Sequence, residues 1–289
     1  MDVKTKSRAE LEGLSNRDRV RAADEAEKAR SQRFIRSLLM MVTGVVLGVL
    51  LVRTLVFAPF SIPSESMHPQ LWNGDILLAA KWPYGYSSAS LPLGSAEPGE
   101  RFLPAAPKRG DIVIFKHPVD GSDYIKRVIG VPGDTVAMFD GRLILNGELV
   151  NRERVEDFII PVSLNTGCNF GGRESEDENG ATICAYPQYR ETLPGGLSYS
   201  VLKFGHSDGD TLSPMRVPEG QLFVMGDSRD NSRDSRFKAQ AGLGVGLVPQ
   251  NNLVGRAQVI IWSTDGSATW LNPASWFAAT RWDRIGTGL

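Results

Sequence analysis

Hydrophobic and polar positions divide the chain into two regimes. No residue from Ser37 to Val52 is charged, and after Arg53 the apolar character resumes from Leu55 to Phe60. A helix needs about 20 residues to cross a hydrocarbon core. Residues 34–57 meet that length if Arg53 extends its guanidinium to the far headgroups. Pro59, which lacks an N–H and clashes with the preceding turn, is expected to end the helix. Beyond it come short β-like runs at Asp75–Ala79, Asp111–Lys116, Tyr124–Ile129, Thr135–Phe139, Gln221–Met225 and Leu253–Trp262. Turn signals such as Asn73-Gly74-Asp75 and Pro132-Gly133-Asp134 separate them. No long amphipathic helix is evident there, so crossover βαβ units are not expected and antiparallel pairing is. Residues 140–220 are richer in Gly, Asn and charge and weaker in periodicity, and Thr166–Gly196 reads as a loop. The expected fold is mainly β: an N-terminal single transmembrane helix, then an antiparallel β-sheet core with an inserted smaller β lobe. The corresponding segments are a charged tail (1–33), the span (34–57), the core (58–139 and 221–289) and the lobe (140–220).

Charge sets the expected direction of the span. Residues 1–36 carry ten Lys/Arg against seven Asp/Glu, with Lys28, Arg30, Arg33 and Arg36 crowding the membrane edge. The positive-inside rule then puts the N-terminus in the cytoplasm and everything after residue 57 outside. A cleaved signal peptide is the alternative. The charged preamble is too long for one, the apolar run exceeds a usual h-region, and a cut after Ala58 would leave Pro59 at the new terminus. A retained anchor is expected, with residues 1–30 as a solvated helix or tail.

Composition changes this picture little. At 289 residues with 42% hydrophobic and 22% charged positions, the chain can bury one large core or two smaller ones. A net charge of -1 argues against nucleic-acid binding. Two cysteines, Cys168 and Cys184, allow one bridge if the outside is oxidising. Closing that loop would contribute about 3 kcal/mol in the chain-entropy model; two unpaired thiols remain the alternative.

Three blocks carry candidate chemistry. In Pro63-Ser64-Glu65-Ser66-Met67 the two serines, two apart in an extended segment, would present hydroxyls on one side. One could attack while the other donates to a developing oxyanion. In Tyr124-Ile125-Lys126-Arg127 the lysine shares a strand face with Tyr124 and Val128, where poor hydration would disfavour its charged form and leave it a base. In the run from Met225 to Arg236, Ser232 could orient a neutral amine, with Asp234 and Arg236 as its brace. Calcium is a poor reading of the same acids, because EF-hand spacing is absent and three arginines offset them. Gly205-His206-Ser207-Asp208-Gly209 matches a hydrolase elbow, but Pro214, Pro218 and Gly220 come next and cannot sustain the helix such an elbow needs.

The blocks Pro63-Ser64-Glu65-Ser66-Met67-His68-Pro69, Tyr124-Ile125-Lys126-Arg127 and Gly226-Asp227-Ser228-Arg229-Asp230-Asn231-Ser232, in this order behind an anchor, resemble bacterial type I signal peptidases. The resemblance covers about residues 57–81, 109–134 and 221–262, and extends to the tail from Arg281 to Gly286. It implies a membrane-bound serine endopeptidase cutting signal peptides from exported preproteins after small residues, at Ala-x-Ala sites. Ser66 would be the nucleophile, Lys126 the general base, and Ser64 with the Ser66 N–H the oxyanion hole. Ser232 would hold the lysine amine, and Asp234 and Arg236 would support the site. The resemblance adds weight to a Cys168–Cys184 bridge and implies no metal or other cofactor. Glu65, Gln70 and Ser228 depart from the family's commoner residues. Expected partners are preproteins emerging from the export machinery and the lipid bilayer, with no nucleic acid. Apolar residues around Trp262 and Trp270 would face that bilayer. The expected location is the bacterial inner (plasma) membrane, with a cytoplasmic N-terminus and a periplasmic catalytic domain. Self-cleaving Ser/Lys repressors lack the anchor; a membrane-tethered extracytoplasmic scaffold or assembly protein without catalysis is the non-enzyme alternative.

Overall fold

A computed structural model describes residues 15–91, 99–169, 171–269 and 271–289. Residues 1–14 of the tail and Trp270 lie outside that set. The chain forms two units, one up to Arg53 and one from Thr54 to Leu289. Among the described residues the first holds one helix, α1 (Asn16–Leu55), of 40 residues, which joins the charged segment to the apolar one without a break. Its part from Ala23 to Leu55 is long and apolar enough to cross a membrane. The helix stops short of the expected residue 57. Phe57 and Ala58 instead pair with Ala80 and Ala79, so a ladder replaces the last helical bonds. Pro59 then sits in an edge strand, where its missing N–H costs no inner ladder bond.

The second unit opens with β1 (Phe57–Ser61), β2 (Asp75–Ala80), β3 (Ile112–Lys116) and β4 (Asp123–Gly130). The middle of the chain supplies β5 (Thr135–Phe139), β6 (Arg142–Leu145), β7 (Glu148–Leu149), β8 (Asn151–Arg154) and β9 (Phe158–Pro161). It continues with β10 (Arg173–Glu176), β11 (Thr182–Tyr186), β12 (Gln188–Thr192), β13 (Ser198–Leu202) and β14 (Leu212–Arg216). The chain returns through β15 (Gln221–Met225), β16 (Val248–Pro249) and β17 (Leu253–Ser263), then a short helix, α2 (Pro273–Ala279). The main sheet is antiparallel in the order β1-β2-β17-β3-β4-β15-β16. Both faces of β3 are buried: Ile112 and Ile114 pack with Leu77, Ile125 and Ile260, while Val113 and Phe115 pack with Val128, Val224 and Leu253. That is why Ile112–Phe115 reads as a continuous apolar run.

The middle segment builds three small antiparallel sheets, β10-β11-β9, β13-β12-β8 and β14-β5-β6-β7. Two features differ from the pattern reading. Thr135–Phe139, grouped with the core by position, pairs with β6 and β14. The stretch Thr166–Gly196, read as a loop, contains three strands. All four residues of β10 are exposed, so no buried face imposes the alternation by which a strand is recognised. A disulfide joins Cys168 to Cys184 on β11, with the Cα atoms 5.3 Å apart.

Buried Arg–carboxylate pairs close the unit over long sequence distances. Arg284, near the C-terminus, donates through Nε and Nη2 to both Asp75 oxygens on β2, at 3.0 and 2.6 Å. Losing one member strands a buried charge. Arg284→Leu is therefore expected to lower unfolding stability by about 3 kcal/mol, read from urea midpoints of the full chain in detergent. A change within about 0.5 kcal/mol, the range of an ordinary surface substitution, would refute this.

Candidate active site

The segment after β1 turns out of the sheet at Pro63 and enters a 3-10 turn, Glu65–Met67, with Ser64 extended at its N-cap. Met67 and Leu71 are fully buried, so the apolar residues after Ser66 anchor the turn against the sheet. The Ser66 carbonyl accepts from Ser228 N–H at 3.1 Å. Gly226 lies against that carbonyl. A Cβ there would sit 2.5 Å from Ser66 O and 2.3 Å from Ser232 Oγ, closer than real contacts allow, so a residue with no side chain is required.

Lys126 comes from β4, where it pairs with Val113, and only 4% of it is exposed. Its Nζ donates to Ser66 Oγ at 2.7 Å and to the Ile125 carbonyl at 3.0 Å. Ser64 Oγ lies 3.3 Å from Ser66 Oγ. Among the described residues Lys126 joins no ion pair. Burial therefore dominates, and it pulls the amine down to about 8 against the opposing attraction of Asp234 and Asp227. The chain thus brings Ser64, Ser66 and Lys126 to one point from segments sixty residues apart.

Asp234 is fully buried, and Arg236 forks onto its two oxygens at 2.8 Å each. Asp234 also accepts from Gly226 N–H at 2.9 Å, so this pair holds the strand end that faces Ser66. Burial opposes ionisation of Asp234, but Arg236 outweighs it and keeps the carboxyl below its usual range. Ser232 sits beside Gly226, but no hydrogen bond joins it to the Lys126 amine. The family resemblance implies that bond; Ser66 and Ile125 fill the amine's contacts instead.

Several residues that pattern reading did not single out complete the surroundings. Arg127 forks onto Asp227 at 2.8 and 2.6 Å, and Arg229 onto Glu191 of the lobe at 2.8 and 2.5 Å. Lys203 of the lobe reaches Asp230 at 2.6 Å. Asp227, Asp230 and Asp234, the acids considered for calcium, are thus each held by a cation. No local signal marks these partners, which lie up to 100 residues apart. The elbow-like sequence ends in a 3-10 turn, Asp208–Asp210, and then β14, with no helix after it. None of the three histidines bonds a serine of the site. His68 packs on Phe158 and burial pulls it down to about 4, His117 bonds the Gly244 carbonyl, and His206 is exposed.

A cleft of about 350 Å³ opens beside Ser66, lined by Phe60, Ile62, Ile114, Tyr124, Ile125 and Leu243 among others. Two ladder edges flank it. β1 is the last strand of its sheet, and β15 pairs with β4 only from Arg127 onward, which leaves Asp123–Lys126 unpaired on that side among the described residues.

The folded Lys126 has a pKa near 8 against an ordinary 10.5, so the folded state binds its proton less readily. The resulting cost is full below about pH 8 and fades as pH rises from there to 10.5. Stability relative to Lys126→Met should therefore increase by about 3 kcal/mol across that window, measured by denaturant titration at a pH series. A flat difference would sink the desolvated-amine account.

The family described as "Signal peptidase, peptidase S26" matches residues 33–262. Signal peptidase I of Rickettsia typhi is 33% identical over 254 residues, spanning 84% of this chain and 86% of that protein. Signal peptidase I of Rickettsia canadensis is 35% identical over 231 residues, spanning 76% of this chain and 77% of its own length. A crystal structure of a signal peptidase I from Enterococcus faecalis is 24% identical, over 53% of this chain and 97% of that one, at a TM-score of 0.27, too slight a likeness to carry weight.

Proposed function

The chain belongs to the signal peptidase family, peptidase S26, and on that premise we propose that it is a membrane-bound serine endopeptidase that works through a Ser66/Lys126 dyad. The observation that carries the dyad is the 2.7 Å contact between the buried, unpaired Lys126 amine and Ser66 Oγ. With its pKa near 8, a useful fraction of the amine is neutral near physiological pH and can accept the Ser66 proton. Ser66 Oγ then attacks the scissile carbonyl. The oxyanion takes hydrogen bonds from Ser64 Oγ–H and the Ser66 N–H. Lys126 passes its proton to the leaving amine, the new N-terminus of the mature protein. The signal peptide stays as an ester on Ser66 until water, deprotonated by Lys126, releases it.

Substrate enters as an added β-strand between the edges of β1 and Asp123–Lys126, which flank the cleft. Apolar residues on both walls favour small side chains before the cut, the Ala-x-Ala pattern. Asp234 and Arg236 keep the Gly226 strand end against Ser66, and Ser232 stands ready to bond the amine once Ser66 carries the acyl group. The substrates are preproteins delivered by the export machinery. The N-terminus lies in the cytoplasm and the catalytic unit outside the bacterial inner membrane. Exposed Leu271, Phe277 and Trp282 offer an apolar surface to that bilayer.

Purified full chain in detergent should cut a preprotein with an Ala-x-Ala site after the last Ala, and kcat/KM should rise with pH through about 8. Ser66→Ala and Lys126→Ala, folded by circular dichroism, should each lose at least ~10⁴-fold in kcat. Ser64→Ala should lose about 10²-fold, the cost of one oxyanion donor. Equal cutting by all of them would discard the dyad. No cutting by the unmodified chain would favour a non-catalytic scaffold.

A further inference from the structure

We propose that Glu65, the residue between the two serines, is a positioning residue that ties the nucleophile turn to the disulfide loop of the inserted lobe. The inference rests on Ser66 being the nucleophile. Glu65 opens the 3-10 turn that carries Ser66, and its two carboxylate oxygens serve different segments. Oε1 accepts from Asn169 Nδ2, and Oε2 accepts from Asn231 Nδ2 at 3.1 Å. These amides lie 104 and 166 residues away in sequence.

Both amides are themselves held. Asn169 comes directly after Cys168, whose disulfide fixes it to β11, and its N–H donates to Tyr186 Oη at 2.9 Å. Asn231 belongs to the loop whose Ser228 N–H holds the Ser66 carbonyl. A carboxylate bonded through both oxygens has its direction set by two anchors, and bonds to a charged acceptor are the stronger kind. Glutamine could keep one of these bonds, because it has one acceptor oxygen and its own NH₂ would face an asparagine NH₂.

Glu65 does not line the cleft. Its loss should therefore leave substrate contacts intact while loosening the placement of Ser66 Oγ against Lys126, and reaction rates are sensitive to such placement. The effect belongs in kcat, not KM. The disulfide reaches Ser66 by the same route: reduction removes one of the two anchors of Asn169, and Asn169 acts through Glu65.

The test compares steady-state cleavage of an Ala-x-Ala preprotein by the full chain and by Ser66→Ala, Glu65→Ala, Glu65→Gln, Asn169→Ala and the Glu65→Ala/Asn169→Ala double variant, each before and after reduction. Glu65→Ala should lower kcat about tenfold with KM within about twofold, and Glu65→Gln should fall between it and the unmodified chain. The double variant should be no worse than Glu65→Ala, because both remove one interaction. Reduction should lower kcat of the unmodified chain severalfold and leave Glu65→Ala unchanged. Full kcat in Glu65→Ala with a silent Ser66→Ala would overturn the positioning role alone. Additive losses, or equal loss on reduction in both backgrounds, would overturn the link to the disulfide. An active Ser66→Ala would overturn the nucleophile and, with it, this inference.

Discussion

A lysine amine held out of water without a carboxylate partner is the constraint around which this structure is organised. Water would keep Lys126 charged, and a bonded acid would do the same. Burial in β4, between the Ser66 hydroxyl and the Ile125 carbonyl, does neither. Aspartates 227 and 234 are near enough to act on the amine electrostatically, yet each is already engaged by an arginine. A free carboxylate in either place would pull the lysine back to its ammonium form.

Buried ion pairs are dense around the site. Arg127–Asp227, Arg229–Glu191 and Arg236–Asp234 are all largely withdrawn from solvent. Such pairs are weak contributors to net stability but severe penalties when broken. They tie the loop from Gly226 to Arg236 at three points, with Gly226 against the Ser66 carbonyl. Glu191 and Lys203 carry these ties into the lobe, so the inserted segment takes part in shaping the site.

Much of the fold is legible as pattern. The strands of the main sheet have a buried face, or two, and their hydrophobic runs show it: Ile112–Lys116 and Gln221–Met225 fall where apolar runs and turn residues put them. The lobe is far less legible. Its strands are short, and β10 is exposed along its whole length, so nothing in the residue pattern distinguishes strand from loop. The helix end differs from expectation for a related reason. Phe57 and Ala58 are apolar enough for either state, and only the neighbouring β2 draws them into a ladder.

Chemistry divides along the same line. Residue types and the resemblance of three short blocks to a known family single out Ser64, Ser66 and Lys126 as candidates and point to a serine peptidase, because a nucleophile and its base have to be particular residues in particular local conformations. The sequence alone also determined the long apolar segment and the strand-rich character of the chain beyond it, since both are local properties. Tertiary structure decided which groups meet: that the lysine bonds Ser66 and not Ser232, that Arg229 finds Glu191 and Arg284 finds Asp75, and that Glu65 is clamped by Asn169 and Asn231. Those contacts join positions many tens of residues apart, and a charge or an amide carries no mark of its partner until packing has removed water from around both.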